Sequence, residues 1–370
     1  MPGGPVLRTM VAMGTKLVAN LAEADERTLA VRDSRAVAFF GTWMLTGLFI
    51  DGWAHSTDKP ETFFSPWHGI LYSGFVAAVL WFAWDGRRRP RGAATGDRLG
   101  TAGLILFAVG ALGDGAWHTV FGIEVGIEAL LSPTHLALML GGLLMVTAPI
   151  RVGWRWLPDR PSGREFFSTM AAVTLATSLV LFFLMYLSAA QPIADAHTGN
   201  YAGEPGQVWG VASVMIRTAV LLGATFLVLR RWTPPAGSFT LLFSVTAIAL
   251  AGLDGFEPIA LAVPFIAGGI VTDVIVARGL GGARRDLLIG TAVPAVCWLG
   301  YFGVHAAVWG VHWPAEIWTG AVVFAVLTGL GLAVVTNGLT PPPVGPALTS
   351  GSDDDRSVPE PAAAPVATSR

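Results

Sequence analysis

The sequence predicts an all-α, polytopic membrane bundle of about ten transmembrane helices arranged as helical hairpins. Three observations carry that expectation. Hydrophobic residues make up 53% of the chain and charged residues only 13%, against roughly 25% charged in a soluble domain. Apolar runs of about 20 residues, the length that crosses the ~30 Å hydrocarbon layer as a helix, recur through most of the chain. Period-two alternation, the mark of an outer-membrane barrel, is absent.

The runs lie near 36–54, 66–84, 99–117, 132–150, 166–188, 206–229, 237–256, 259–277, 286–308 and 314–336. Residues 1–35 lack the pattern of a signal peptide and carry an acidic-basic segment (Glu23, Asp25, Glu26, Arg27, Arg32, Asp33, Arg35). They read as a cytoplasmic leader lying on the membrane surface. Pro341, Pro342 and Pro343 stop the last helix, and residues 339–370, rich in Pro, Ala, Ser and Asp, read as a disordered cytoplasmic tail. The chain thus divides into a leader (1–35), a first pair of hairpins (36–150), the remaining membrane helices (151–338) and the tail (339–370). The one cysteine, Cys297, has no disulfide partner in the chain and reads as packing.

Lys and Arg in short loops mark the cytoplasmic side. Of 23 such residues, 21 fall in the leader, the even-numbered loops or the tail. Lys59 is in an odd-numbered loop, and Arg217 lies inside the sixth run. Both termini are therefore expected in the cytoplasm of a multi-pass cell-membrane protein. All seven histidines (His55, His68, His118, His135, His197, His305, His312) fall towards the opposite face. Eleven acids join them, and with Lys59 that face carries a formal charge of −10. Such a surface concentrates cations and repels anions.

Two hairpins share a pattern. The first reads Asp51-x3-His55-x12-His68, closing with Ser65-Pro66-Trp67-His68. The second reads Asp114-x3-His118-x16-His135, closing with Ser132-Pro133-Thr134-His135. Asp and His at i, i+4 share one face of a helix. Ser-Pro signals a helix start, with Ser as N-cap and Pro at the first helical position. The third ligand then sits in the first turn of the returning helix, where the dipole favours the neutral, metal-binding imidazole. Each hairpin can offer one carboxylate and two imidazoles to a common point, so Asp51, His55, His68, Asp114, His118 and His135 are the candidate metal ligands. On donor type alone copper, iron and zinc all remain open.

At these residues the chain resembles the C subunit of particulate methane monooxygenase and ammonia monooxygenase, which carries Asp-x3-His-x12-His with Pro-x-His at its end as outward-facing copper ligands. Asp51, His55 and His68 match that spacing without a gap. The family's second copper site, on the next hairpin, usually has Asn in place of the acid; Asp114, His118 and His135 look like its counterpart with a longer loop. The resemblance covers about 90 of the 370 residues. It implies copper, an oxygen-activating monooxygenase-like oxidoreductase system, and membrane or cupredoxin-like partner subunits.

Later hairpins echo the pattern faintly, through His305, His312, Glu316, Asp254, Glu257, Asp195 and His197. Arg217 and Asp273, both inside apolar runs, are expected to pair within the bundle. Trp53, Trp67, Trp117, Trp209, Trp309, Trp313 and Trp318 gather at the outer interface as an aromatic belt. No phosphate-binding loop or Ser-His-Asp arrangement is recognisable, and neither an organic cofactor nor nucleic acid is expected. The expected partners are lipid, a metal ion, partner subunits and further copies of the chain. Two other functions fit the sequence: a metal or proton-coupled permease, and a non-catalytic metal sensor or assembly factor.

Overall fold

A computed structural model describes residues 5–57, 65–88, 97–122, 127–187 and 203–338. Every regular element among them is helical: α1 (Pro5–Ser56), α2 (Pro66–Arg88), α3 (Arg98–Phe121), α4 (Glu128–Leu131), α5 (Pro133–Val146), α6 (Ala148–Trp156), α7 (Gly163–Phe183), α8 (Glu204–Arg231), α9 (Ser238–Gly252), α10 (Ala262–Ala277), α11 (Gly282–Val308) and α12 (Ala315–Gly338). Nine described stretches are long and apolar enough to cross a membrane, with α5 and α6 together forming one of them, and α9 adds an apolar helix of 15 residues. The all-α membrane bundle expected from composition is the fold.

Three boundaries differ from the sequence reading. First, α1 is one helix of 52 residues, about 78 Å long at 1.5 Å per residue. No break separates a surface-lying leader from the first span, because residues 15–40 contain neither Gly nor Pro. The leader instead continues the axis of the span. Glu26 pairs with Arg155 of α6 at 3.3 Å, and Arg32 pairs with Asp85 of α2. Second, the fourth run divides at Thr147, where Pro149 in the first turn of α6 has no N–H to continue the ladder. Third, α9 stops at Gly252, since Gly255 and Phe256 take left-handed backbone angles (φ 64° and 65°) and turn the chain. The tail and His197 lie outside the described residues.

Consecutive helices pack as hairpins: α1 on α2, α3 on α5, α9 on α10 and α11 on α12. Around the most buried span, α7, stand α1, α5, α6, α8 and α9. Apolar side chains such as Val76, Leu80, Ile105, Val109 and Leu112 point away from the bundle, as lipid-facing positions do. Trp209 is exposed as a belt residue would be, whereas Trp313 is buried against Phe302.

The charged residues sort by end. At the Arg-rich end, buried or half-buried acids are paired with arginine: Asp85 with Arg32, Asp97 with Arg151 and Asp286 with Arg285. Arg217 and Asp273 do not serve each other in this way. Asp273 accepts hydrogen bonds from the Phe239 and Thr240 backbone N–H groups and from the Thr240 hydroxyl, capping the start of α9. Arg217 Cζ lies 4.3 Å from the centroid of the Phe265 ring. Depth explains the difference. Asp273 is about 6 Å of helix from the Arg-rich end of α10, whereas Arg217 is roughly 20 Å from that of α8.

Candidate metal centre

Asp51 and His55 occupy the last turns of α1, and His68 the first turn of α2. Asp114 and His118 end α3, and His135 stands in the first turn of α5. In each hairpin the close crossing of the two helices is set by a glycine one turn before the aspartate. A Cβ on Gly47 would lie 2.4 Å from the Leu71 backbone nitrogen, and one on Gly110 would lie 3.1 Å from that of Leu138. Leu71 and Leu138 each follow their histidine by three residues. The repeat is therefore Gly-x3-Asp-x3-His followed by Ser-Pro-x-His-x2-Leu, longer than the Asp and His pattern alone.

The six expected ligands converge as two triads. Within each, one ligand atom per residue lies within 4.8 Å of the others. In the first, His68 Nε2 is 3.2 Å from Asp51 Oδ1 and His55 Nε2 is 3.9 Å from Asp51 Oδ2. In the second, His118 Nε2 is 3.5 Å from Asp114 Oδ2 and His135 Nε2 is 3.4 Å from Asp114 Oδ1. Donors bonded at 2.0–2.2 Å to one tetrahedral ion stand roughly 3.3–3.6 Å apart. A direct charge-assisted hydrogen bond would draw the same atoms to about 2.7–2.9 Å. Three of the four separations fit donors shared around an ion better than a closed ion pair, and His55 Nε2 stands a few tenths of an ångström farther out.

The far side of three of the four rings explains why Nε2 faces inward. Ser65 Oγ is 2.8 Å from His68 Nδ1, and Ser132 Oγ is 2.7 Å from His135 Nδ1. His118 Nδ1 donates to the Gly122 carbonyl at 3.1 Å. With the serine oxygen accepting from Nδ1–H, as the Gly122 carbonyl does at His118, the Nε2 lone pair is left for a metal, the usual arrangement around metal-binding histidines. Ser132 was expected as an N-cap and is one, accepting from the His135 backbone N–H. Its second task, aiming the ring, is visible only in three dimensions.

Burial makes the carboxylates demanding. Asp114 is 1% exposed and Asp51 is 9% exposed, and burying an ionised carboxylate without compensation is costly. Asp114 accepts from Thr134 Oγ1 at 3.0 Å and from the Tyr72 phenol. Asp51 Oδ1 is buried without a hydrogen-bond partner. Where the other end of the bundle answers a buried acid with arginine, these two acids meet imidazoles. The second triad is the more enclosed, since His55 of the first keeps 35% of its side chain exposed.

Between the triads lies a cavity of about 50 Å³, reached by Asp51, His68, Asp114 and His135 from one side. Its deeper wall is apolar, formed by residues such as Leu48, Leu71, Phe107 and Leu138, with Tyr72 beside the ligands. Sequence reasoning missed Tyr72, Gly47 and Gly110. The glycines were legible as an extension of the repeat, but Tyr72 has no counterpart there, because Met139 stands at its place in the second hairpin.

The later echoes form no third group among the described residues. His305 is fully buried between Tyr301 and Trp309, with ring centroids at 6.1 and 5.4 Å. Glu316 and Glu257 are exposed. Asp195 and His197 lie outside the described residues. Comparison with family models, with characterised proteins and with solved structures found no match.

Proposed function

We propose that the protein binds two copper ions at these triads and belongs to an oxygen-activating, monooxygenase-like membrane system. The observation that carries the reading is the convergence of one buried carboxylate and two Nε2 atoms, twice, at separations suited to a shared ion. Asp51, His55 and His68 would hold one ion, and Asp114, His118 and His135 the other. Copper is preferred to iron or zinc because the ligand spacing resembles the monooxygenase C subunit. Bound copper would supply one-electron and oxygen chemistry, while the chain itself orients the imidazoles through Ser65, Ser132 and Gly122. The apolar wall excludes bulk water from the inner side of the sites. The sorting of Lys and Arg supports triads on the extracytoplasmic side and both termini in the cytoplasm.

The apolar floor favours a site that holds its ion over one that passes it on. A permease needs polar groups through the layer, and below the triads the cavity meets Leu, Phe, Met and Val. Asp273, the acid inside the eighth apolar run, is engaged in capping α9.

Elemental analysis of the purified, copper-loaded protein tests the reading. The expected content is two copper ions per chain, falling to one in His68→Ala and one in His135→Ala. A protein that retains no metal overturns the proposal. Retention of zinc or iron in preference to copper overturns the copper assignment alone.

A further inference from the structure

The two triads share more than a repeat. Asp51 and His68 line the same cavity as Asp114 and His135. Tyr72 stacks on His68 at a centroid distance of 6.3 Å, and its phenol hydrogen-bonds Asp114. One side chain therefore touches a ligand of each triad. Each triad offers one carboxylate and two imidazoles, and imidazole binds metal in its neutral form. An empty triad with its carboxylate ionised is formally −1, and no Lys or Arg lines the cavity wall.

We infer that the twin triads act as one electrostatically coupled pair, built to hold two monovalent cations and to resist a second divalent one. The inference rests on the metal-binding reading above and adds to it the charge of the ion. Let J be the repulsion of two unit charges placed one at each triad. The empty pair, −1 and −1, costs J. One monovalent ion brings that interaction to zero, and a second leaves it at zero, so the first ion disfavours the second by J. One divalent ion makes the charges +1 and −1, an attraction of J, and a second makes them +1 and +1, a repulsion of J. Coupling against the second divalent ion is then 4J.

While the empty carboxylates are ionised, coupling thus grows as the square of the ion's charge, and J rises as the apolar wall lowers the dielectric response. Because binding constants depend exponentially on free energy, a threefold weakening for a monovalent ion becomes roughly eightyfold for a divalent one. If an empty carboxylate carries a proton, each ion brings one charge fewer and the order is unchanged. Two monovalent ions leave the pair neutral, whereas two divalent ions leave +2 against an apolar floor. Met44 and Met139 also stand in the cavity wall, and thioethers suit Cu(I).

The test titrates the full-length protein in detergent with Cu(I) under anaerobic reducing conditions, and separately with Zn(II), using competing chelators. His55→Ala/His68→Ala disables the first triad while keeping the Asp51 charge, and His118→Ala/His135→Ala does the same for the second. Comparing each triad beside an empty neighbour with the same triad beside a filled one isolates the coupling for each ion. The expected weakening for Zn(II) is roughly the fourth power of that for Cu(I), about eightyfold where Cu(I) shows threefold. Because coupling is reciprocal, either variant suffices if the other fails to fold. Equal weakening for the two ions, or none for Zn(II), overturns the inference and leaves the metal-binding reading standing. Failure of both ions to bind the unmutated protein overturns both.

Discussion

Gly47→Ala tests whether helix approach sets the ligand geometry. The added Cβ would lie 2.4 Å from the Leu71 nitrogen and 2.6 Å from Leu71 Cα. Non-bonded atoms settle at about 3.5–4.0 Å, so α2 must retreat by roughly 1 Å. The obstacle is backbone and cannot rotate aside. Asp51 is one turn from Gly47 and His68 nearly one turn from Leu71, so the 3.2 Å between their ligand atoms opens to roughly 4 Å. Because His55 Nε2 already stands 3.9 Å from Asp51 Oδ2, neither imidazole would then lie within the roughly 3.3–3.6 Å of the carboxylate that two donors on one tetrahedral ion span. Overpacking of this kind costs about 1–3 kcal/mol, and metal affinity at the first triad should fall about a hundredfold. Gly110→Ala is the internal control. Its Cβ would meet the Leu138 nitrogen at 3.1 Å and the Leu138 side chain at 3.2 Å, needing a shift of only a few tenths of an ångström. The assay is metal stoichiometry and chelator competition, with circular dichroism and gel filtration confirming a folded bundle. Gly47→Ala is expected to hold one ion and Gly110→Ala two. A Gly47→Ala protein that binds two ions at unaltered affinity would refute the argument from helix approach.

Tyr72→Phe removes the hydrogen bond to Asp114 but keeps the ring on His68; affinity at the second triad should fall by about 10–100-fold, and an unchanged second triad would show the phenol to be idle. Acidification should release metal from both triads, because protons compete for the same Nε2 atoms and only neutral imidazole binds. Dissociation constants that are equal at pH 7.5 and pH 5.5 would contradict imidazole ligation. For orientation, Cys297 is buried, so engineered cysteines label over a low background. Thr57→Cys and Gly122→Cys should react with a membrane-impermeant maleimide in intact cells, and Arg160→Cys only after lysis; the opposite pattern would invert the proposed topology.

How much of this was legible beforehand depends on range. Apolar runs near 20 residues, the sorting of Lys and Arg from His, and the i, i+4 and Ser-Pro signals are local in the chain. They led to the all-α membrane bundle and to six candidate ligands, which the structure brings together as two triads. Helix continuity is also local, yet the acidic-basic composition of residues 1–35 suggested a separate leader, where the absence of Gly and Pro from residues 15–40 lets α1 run on into the span. The expected pairing of Arg217 with Asp273 failed because both were placed simply inside apolar runs, and similar hydrophobic context does not mean similar depth.

Which side chains could ligate a metal, and on which helix ends they stand, follows from local order in the chain, since helical period and capping chemistry depend on neighbours a few residues apart. How close the helices come, which imidazole nitrogen faces the carboxylate, and that both triads open on one cavity beside Tyr72 follow from the packing of the hairpins. Those features arise from contacts between hairpins, where a missing Cβ on Gly47 or a hydroxyl on Ser132 acts on atoms the linear pattern does not place. The coupling between triads belongs to that second class, because a Coulomb interaction depends on distance through space and on the medium between the charges, and neither is written in residue spacing.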